Sequence, residues 1–247
     1  MLRLTNNLWF LLLGLGIVLG TSTDIGAAPI VVDFEGPNAS GTSVTGSSLD
    51  TYLAGFGITV SNVSPSGYPE IHNATNHGSM SGFPAGFLTA SSGVNFLSHG
   101  DGITSGSANA PTNAPISYKL NFSTLLDSVS FTRIQNNAFT SPSGSIVATW
   151  SARALDGLGN TLDTVGEPQI ASFGTIAPVL FTLTGPNIAA LVIERTSTNT
   201  VAGVNTVFID DLVLDAPTSP VPEPSSLVLG GMGLVSLVGY ARWRKRK

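Results

Sequence analysis

Ile116-Ser117-Tyr118-Lys119-Leu120-Asn121-Phe122-Ser123 is the stretch that decides the fold of this chain. Ile116, Tyr118, Leu120 and Phe122 take every second position, and Ser117, Lys119, Asn121 and Ser123 fill the positions between them. Successive strand side chains point to opposite faces, so this period of two sets one face on a core and the other toward water. Working outward, Val129 and Phe131 repeat the pattern. Ile146, Ala148, Trp150, Ala152 and Ala154 carry it through a longer strand, with Thr149, Ser151 and Arg153 opposite. Asp156-Gly157 and Gly159-Asn160 bracket a turn, and Thr161 to Val165 is its partner strand. Val179, Phe181 and Leu183 alternate before Gly185-Pro186, and two apolar-rich runs follow, Ile188 to Arg195 and Thr206 to Leu214. With Ile30 to Glu35 and Ile58 to Val63 there are about nine short strands, no amphipathic helix and no fixed-length repeat. The expected fold class is all-β: an antiparallel β-sandwich, jelly-roll-like, with Trp150 in its core.

The two ends are addresses rather than fold. Arg3, the apolar run Leu8 to Gly20 and the small residues before Ala27-Ala28 read as a secretory signal peptide over residues 1–28, handled by the Sec translocon. Cleavage is expected after Ala28, with Gly26 at the minus-three position, or after Ala27. The last 27 residues run from Val221-Pro222-Glu223-Pro224 through an uncharged segment, Leu227 to Ala241, to a cluster containing Arg242, Arg244, Lys245, Arg246 and Lys247. Pro222 and Pro224 hold Glu223 in an extended, protease-accessible strand. The 15 uncharged residues rise only ~22 Å as a helix against ~30 Å of hydrocarbon, which suits transient insertion better than a permanent transmembrane helix. The basic cluster stays cytoplasmic by the positive-inside rule. This arrangement resembles the PEP-CTERM sorting signal of exopolysaccharide-producing bacteria. The resemblance implies an exosortase-type membrane protease or transpeptidase as partner, an inner-membrane-anchored intermediate, and delivery to the cell surface or extracellular matrix. The expected domains are thus 1–28 signal peptide, 29–215 extracellular β-sandwich, 216–220 linker and 221–247 sorting signal.

The whole chain of 247 residues carries a formal charge of −5, but this hides an acidic body. Residues 29–215 hold four basic residues, Lys119, Arg133, Arg153 and Arg195, against thirteen acidic ones, a net of −9. Such a surface repels phosphate backbones and argues against nucleic acid as a partner. Without a single cysteine there are no disulfides, thiolate metal sites or cysteine nucleophiles.

Two strands at opposite ends of the body carry its acidic candidates. In Thr206 to Leu214, alternation puts Asp210 with Phe208, Leu212 and Leu214, and Asp211 with Val207, Ile209 and Val213. One carboxylate therefore lands among apolar side chains unless a bulge shifts the register, and a buried carboxylate demands a donor, a proton or a cation. Asp33 and Glu35 share a face about 7 Å apart. The body also resembles the carbohydrate-binding-like jelly rolls of exported bacterial proteins, through Val32-Asp33-Phe34-Glu35, Asp156-Gly157-Leu158-Gly159-Asn160 and Phe208-Ile209-Asp210-Asp211-Leu212. That resemblance implies a structural Ca²⁺ held by Glu35 with Asp210 or Asp211. Solvent-facing acids, or an aspartate accepting backbone hydrogen bonds, are the alternatives.

Between Ser64 and Pro115 the periodicity fades into Gly, Ser, Asn, Ala and Pro, a long loop region or a set of short strands joined by loops. It holds Tyr68, His72, His77, Phe83, Phe87, Phe96 and His99. Tyr68, Phe83, Phe87 and Phe96 are candidate sugar-stacking residues, with the hydrophobic core as the competing place for the phenylalanines. The histidines are expected to be solvated loop residues, since His72 and His77 lack the spacing of a zinc-binding helix. Gly78-Ser79-Met80-Ser81-Gly82 puts Met80 where a nucleophile elbow needs serine. No Walker loop, dinucleotide fingerprint or Ser-x-x-Lys is present. The expected function is therefore a non-enzymatic, exported, exosortase-processed protein of the cell envelope or biofilm matrix with exopolysaccharide as candidate ligand; a secreted polysaccharide hydrolase or lyase is the alternative.

Overall fold

The computed structural model describes residues 28–37, 43–44, 46–62, 69–75, 88–99, 117–137, 145–147, 149–172, 174–195, 207–217 and 244. Ala28–Pro217 form one compact unit, apart from 1–27 and 218–247. The signal peptide, the sorting motif and the apolar C-terminal segment lie outside the described residues, and no described helix is long and apolar enough to cross a membrane.

The elements in chain order are β1 (Ile30–Val32), β2 (Ser43–Val44), α1 (Gly46–Ala54), β3 (Ile58–Asn62), β4 (Pro69–Asn73), β5 (Leu88–Thr89) and β6 (Asn95–His99). They continue with β7 (Ser117–Arg133), β8 (Gln135–Asn136), β9 (Ser145–Val147), β10 (Trp150–Leu155), β11 (Thr161–Glu167), β12 (Ile170–Ser172), β13 (Val179–Arg195) and β14 (Ile209–Asp215). All pairings among them are antiparallel.

Two long strands make the sandwich. β7 and β13 pair along most of their 17 residues each, but their register shifts between Thr184 and Ile188 and again before Ala190, where Asn187 adopts φ 61°. A straight strand would hold Phe181 and Arg195 roughly 45 Å apart. Yet Trp150, the direct neighbour of Arg195, has its ring 4.9 Å from that of Phe181. Both long strands therefore double over at their irregular middles, and each contributes one half to each layer. One layer runs β3, β7 (first half), β13 (second half), β10, β11; the other runs β13 (first half), β7 (second half), β14, β6, β4, β2, with β1 also on β14. Tyr118, Leu120, Trp150, Leu191 and Ile193 of the first layer meet Val129, Phe131, Leu183, Leu212 and Leu214 of the second in one core. The alternation over 117–123 thus marks a real strand, the start of β7. The breaks expected after Ser123 and at Gly185-Pro186 are bends within continuous strands rather than ends.

A bidentate ion pair ties the layers together at their rim. Arg133, closing β7, donates through Nε to Glu167 Oε2 at 2.8 Å and through a terminal nitrogen to Oε1 at 3.2 Å, and Trp150 Nε1 donates to the same carboxylate at 3.0 Å. Arg133 is only 3% exposed and Glu167 12%.

The structure adds a helix where none was expected. Leu49, Tyr52, Leu53 and Phe56 recur at helical spacing, and α1 buries Leu49 and Leu53 completely. A nine-residue helix is not stable alone, so the burial of two leucines, ~1.5–3 kcal/mol each, is what holds it. Gly57, at φ 72°, then turns the chain directly into β3.

Candidate functional site

β1 and β14 pair side by side, Val31 opposite Val213, which brings the acidic ends of the two strands to one place. Leaving β1, Phe34 adopts φ 60° while fully buried in the main core, a conformation that only firm packing holds for a bulky residue. That twist aims Glu35 at the loop before β6, where its Oε1 accepts the backbone N–H groups of Val94 at 2.8 Å and Asn95 at 2.6 Å. Gly93 packs flat on the same carboxylate, and a side chain there would collide with it. Asn95 returns the contact by donating from Nδ2 to the carbonyls of Phe34 at 3.1 Å and Pro37 at 3.4 Å.

Asp210 grips the other end of this loop. It is 0% exposed and accepts from the backbone N–H groups of Ser91 at 2.9 Å and Ser92 at 2.8 Å, from both seryl hydroxyls, and from the Asp211 N–H at 2.8 Å. Burial pushes its carboxyl up to about 6, the loop amides pull it the other way, and the neighbouring Asp211 adds repulsion. Thr132 faces Asp210 and Ser130 faces Val213, so β14 carries a bulge, with Asp211 at φ 50°. The bulge lets Ile209, Leu212 and Leu214 share the main core although simple alternation separates them, and it leaves Asp210 on the side of Phe208.

Glu35 and Asp210 therefore hold one loop between them, with Asp211 next to Asp210 on β14, and the donors that the buried Asp210 carboxylate demands are backbone amides and seryl hydroxyls. Among the described residues, no three His, Cys, Asp or Glu side chains assemble into a group that could hold a metal.

Phe96 corrects the expectation of a sugar-stacking residue. It is 0% exposed in a second, smaller core with Ala74, Leu88, Ile134 and Phe208, edge-on to the Phe208 ring at 5.3 Å. Its alternation was masked because both faces of β6 are buried. His72 is not a solvated loop residue either. It lies on β4, 0% exposed, stacked on Phe96 at 5.7 Å and 3.6 Å from the Glu70 carboxylate. The described part of 64–115 is thus short strands, the second of the two alternatives. Tyr68, Phe83, Phe87 and His77 lie outside the described residues, as do Pro222, Glu223, Pro224 and every member of the basic cluster except the exposed Arg244.

An aromatic that sequence reasoning passed over does line a groove. Gly36, Pro37, Val44, Ser48, Thr51 and Tyr52 line an open, shallow cleft of about 360 Å³ between α1 and the chain leaving β1. Tyr52 is half-buried, its ring edge against Phe56 at 5.2 Å and its flank covered by Gly36, whose missing side chain makes that approach possible. The Tyr52 hydroxyl donates to Asp33 Oδ1 at a loose 3.5 Å. Burial first, then the Asp33 charge, push its phenol up to about 12, so it remains a donor at every physiological pH. Thr51 donates its hydroxyl to Ser47 O at 2.7 Å, which leaves its oxygen facing as an acceptor. An apolar wall of Pro37, Val44 and the Tyr52 ring beside the hydroxyls of Ser48 and Thr51 is a surface for a small amphipathic ring. The Leu49-x-x-Tyr52-Leu53-x-x-Phe56 spacing is the signal from which this groove was readable.

The PEP-CTERM protein-sorting motif matches residues 220–247. The chain thus ends in a PEP-CTERM sorting motif, which implies an exported protein that is processed by an exosortase and reaches the surface from a membrane-anchored stage. No curated protein matches the chain. Among solved structures, the K2 cleaved adhesin domain of Lys-gingipain is similar at 11% identity and TM-score 0.43, over 76% of this chain and 98% of its own. TmCBM61, solved with β-1,4-galactotriose, is similar at 15% identity and TM-score 0.33, over 64% and 88%. The CBM22-1 xylan-binding domain of Paenibacillus barcinonensis Xyn10C is similar at 12% identity and TM-score 0.34, over 75% and 92%.

Proposed function

We propose that the exported body is a non-catalytic glycan-binding domain whose ligand enters the groove beside α1. The observation that carries this is Tyr52, an aromatic ring held half-exposed by Gly36 and Phe56 in a sugar-sized cleft with hydroxyls along its rim. A sugar offers a flat apolar C–H face and ring hydroxyls, and the groove answers each: the phenol ring for the face, Ser48 and Thr51 for the hydroxyls. Export and exosortase processing, which the sorting motif implies, would deliver that groove to the cell envelope, within reach of exopolysaccharide. The test is calorimetric titration of the protein with neutral oligosaccharides of the producing cells' exopolysaccharide. Tyr52→Ala is expected to weaken binding by about tenfold or more, since one stacked ring contributes ~1–2 kcal/mol, while Leu158→Ala at the exposed β10–β11 turn leaves it unchanged. Equal affinity for wild type and Tyr52→Ala would remove the groove from the account, and newly released reducing ends would make the protein an enzyme instead.

A further inference from the structure

We propose that the outer face of the five-stranded layer is a second glycan-binding surface, and that its ligand is a carboxylate-bearing polysaccharide of the uronic-acid type. The proposal takes its class of partner from the glycan-binding reading above but stands on different residues. Ser61, Lys119, Val192, Arg153 and Thr164 lie directly across from one another on β3, β7, β13, β10 and β11. The row is flat at its centre, because Val192 and its neighbours Ala190 and Leu155 bury against one another, and no residue of another described element joins that cluster. Solvent reaches the charged flanks of this row, with Arg153 33% and Glu194 28% exposed, while Val192 at its centre is only 2% exposed.

Charge picks the partner. Of the body's four basic residues, Arg133 is locked to Glu167, whereas Lys119 and Arg153 stand together in this row, two strand spacings or about 10 Å apart. Lys119, the body's only lysine, makes no ion pair among the described residues. Arg153 is ion-paired with Glu194, but loosely: its terminal nitrogens reach Thr161 and Glu194 only at 3.5 and 3.4 Å, and its buried Nε has no acceptor among the described residues. A guanidinium in that condition gains from a carboxylate that it can grip with two donors, and a lysine takes a second carboxylate as a point charge. Asn121, hydrogen-bonded to Ser61 at 3.2 Å, and the exposed Thr164 supply neutral contacts beside them for sugar hydroxyls. Sparse charge suits the spacing. A nucleic-acid duplex, with a charge every ~1.7 Å, meets far more repulsion from a body of net −9 than a chain with one carboxylate per sugar does.

Affinity electrophoresis of the full-length protein in detergent, with polygalacturonate, dextran or duplex DNA cast into the gel, tests this. Polygalacturonate is expected to retard the protein, with retardation lost as salt rises, and dextran at this face to have no such effect. Lys119→Gln and Arg153→Gln should each weaken retardation by about tenfold, the double variant should abolish it, and Tyr52→Ala should leave it intact. Because Arg153 also contacts Glu194, melting temperatures accompany each variant, and Lys119→Gln, which breaks no described ion pair, is the decisive one. Absence of retardation, retardation unchanged in Lys119→Gln, or equal retardation by DNA would overturn the proposal. If polygalacturonate fails while neutral oligosaccharides still bind through Tyr52, this surface falls and the groove stands; failure of both removes the glycan reading itself.

Discussion

Glu167→Gln is expected to cost the body about 3–5 kcal/mol of unfolding free energy. Arg133 is 3% exposed, so once the facing carboxylate is neutral its charge has neither water nor an anion to compensate it. Trp150 Nε1 loses its charged acceptor in the same step. The position matters as much as the energy. Arg133 ends the half of β7 in one layer, and Glu167 ends β11 in the other, so the pair pins the doubled-over strands at the point where the sandwich would open. Urea unfolding should show a lower midpoint with an unchanged slope. Arg133→Met with Glu167→Leu should recover most of the loss, since replacing both partners leaves no orphaned charge. A Glu167→Gln midpoint within about 1 kcal/mol of wild type would mean that the pair is solvated and does not hold the layers.

The second large effect is a pH dependence carried by Asp210. Its folded carboxyl titrates near 6 against an ordinary value of 3.8, because burial penalises the charged form. The folded state therefore binds this proton more tightly than the unfolded chain does. The corresponding stabilisation is fully present below about pH 4 and is lost as pH rises through 6, roughly 3 kcal/mol in all. Asp210→Asn removes the titration and keeps the shape. The stability advantage of wild type over Asp210→Asn should accordingly grow by about that amount between pH 7 and pH 4. The comparison cancels every other titrating group. A difference that stays flat, or grows toward high pH, would show that the amides of Ser91, Ser92 and Asp211 outweigh burial and hold Asp210 ionised.

These two side chains also show what was legible in the sequence. Alternation over 117–123 and 150–154 marks strands, because period-two patterns report which face is buried, whereas the single longer strand expected from Ile146 to Ala154 is split into β9, which pairs with β12, and β10, which pairs with β11 and β13. The doubling-over of β7 and β13 was not legible, since a bend inside a continuous strand and the end of a strand carry the same Gly, Pro and polar signal, as at Gly185-Pro186. The need of Asp210 for a partner could be argued from Phe208 and Leu212 alone, but the partner could not: it is a loop some 119 positions away, brought near by the pairing of β14 with β6. The bulge at Asp211 was an open option in the sequence, and the structure takes it. α1 escaped because its nine residues, Gly46 to Ala54, make only about two and a half turns, too short for periodicity to stand out, and with it went Tyr52 and the groove. Phe96 and His72 were misplaced for the opposite reason: strands buried on both faces lose the alternation that identifies them.

The most direct test of the central claim is co-sedimentation of the mature exported protein with the purified exopolysaccharide of the cells that make it. The account predicts saturable binding that Tyr52→Ala strongly weakens, with the polymer's chain length unchanged. Protein that stays in the supernatant at every polymer concentration, or polymer that emerges shortened, would contradict it.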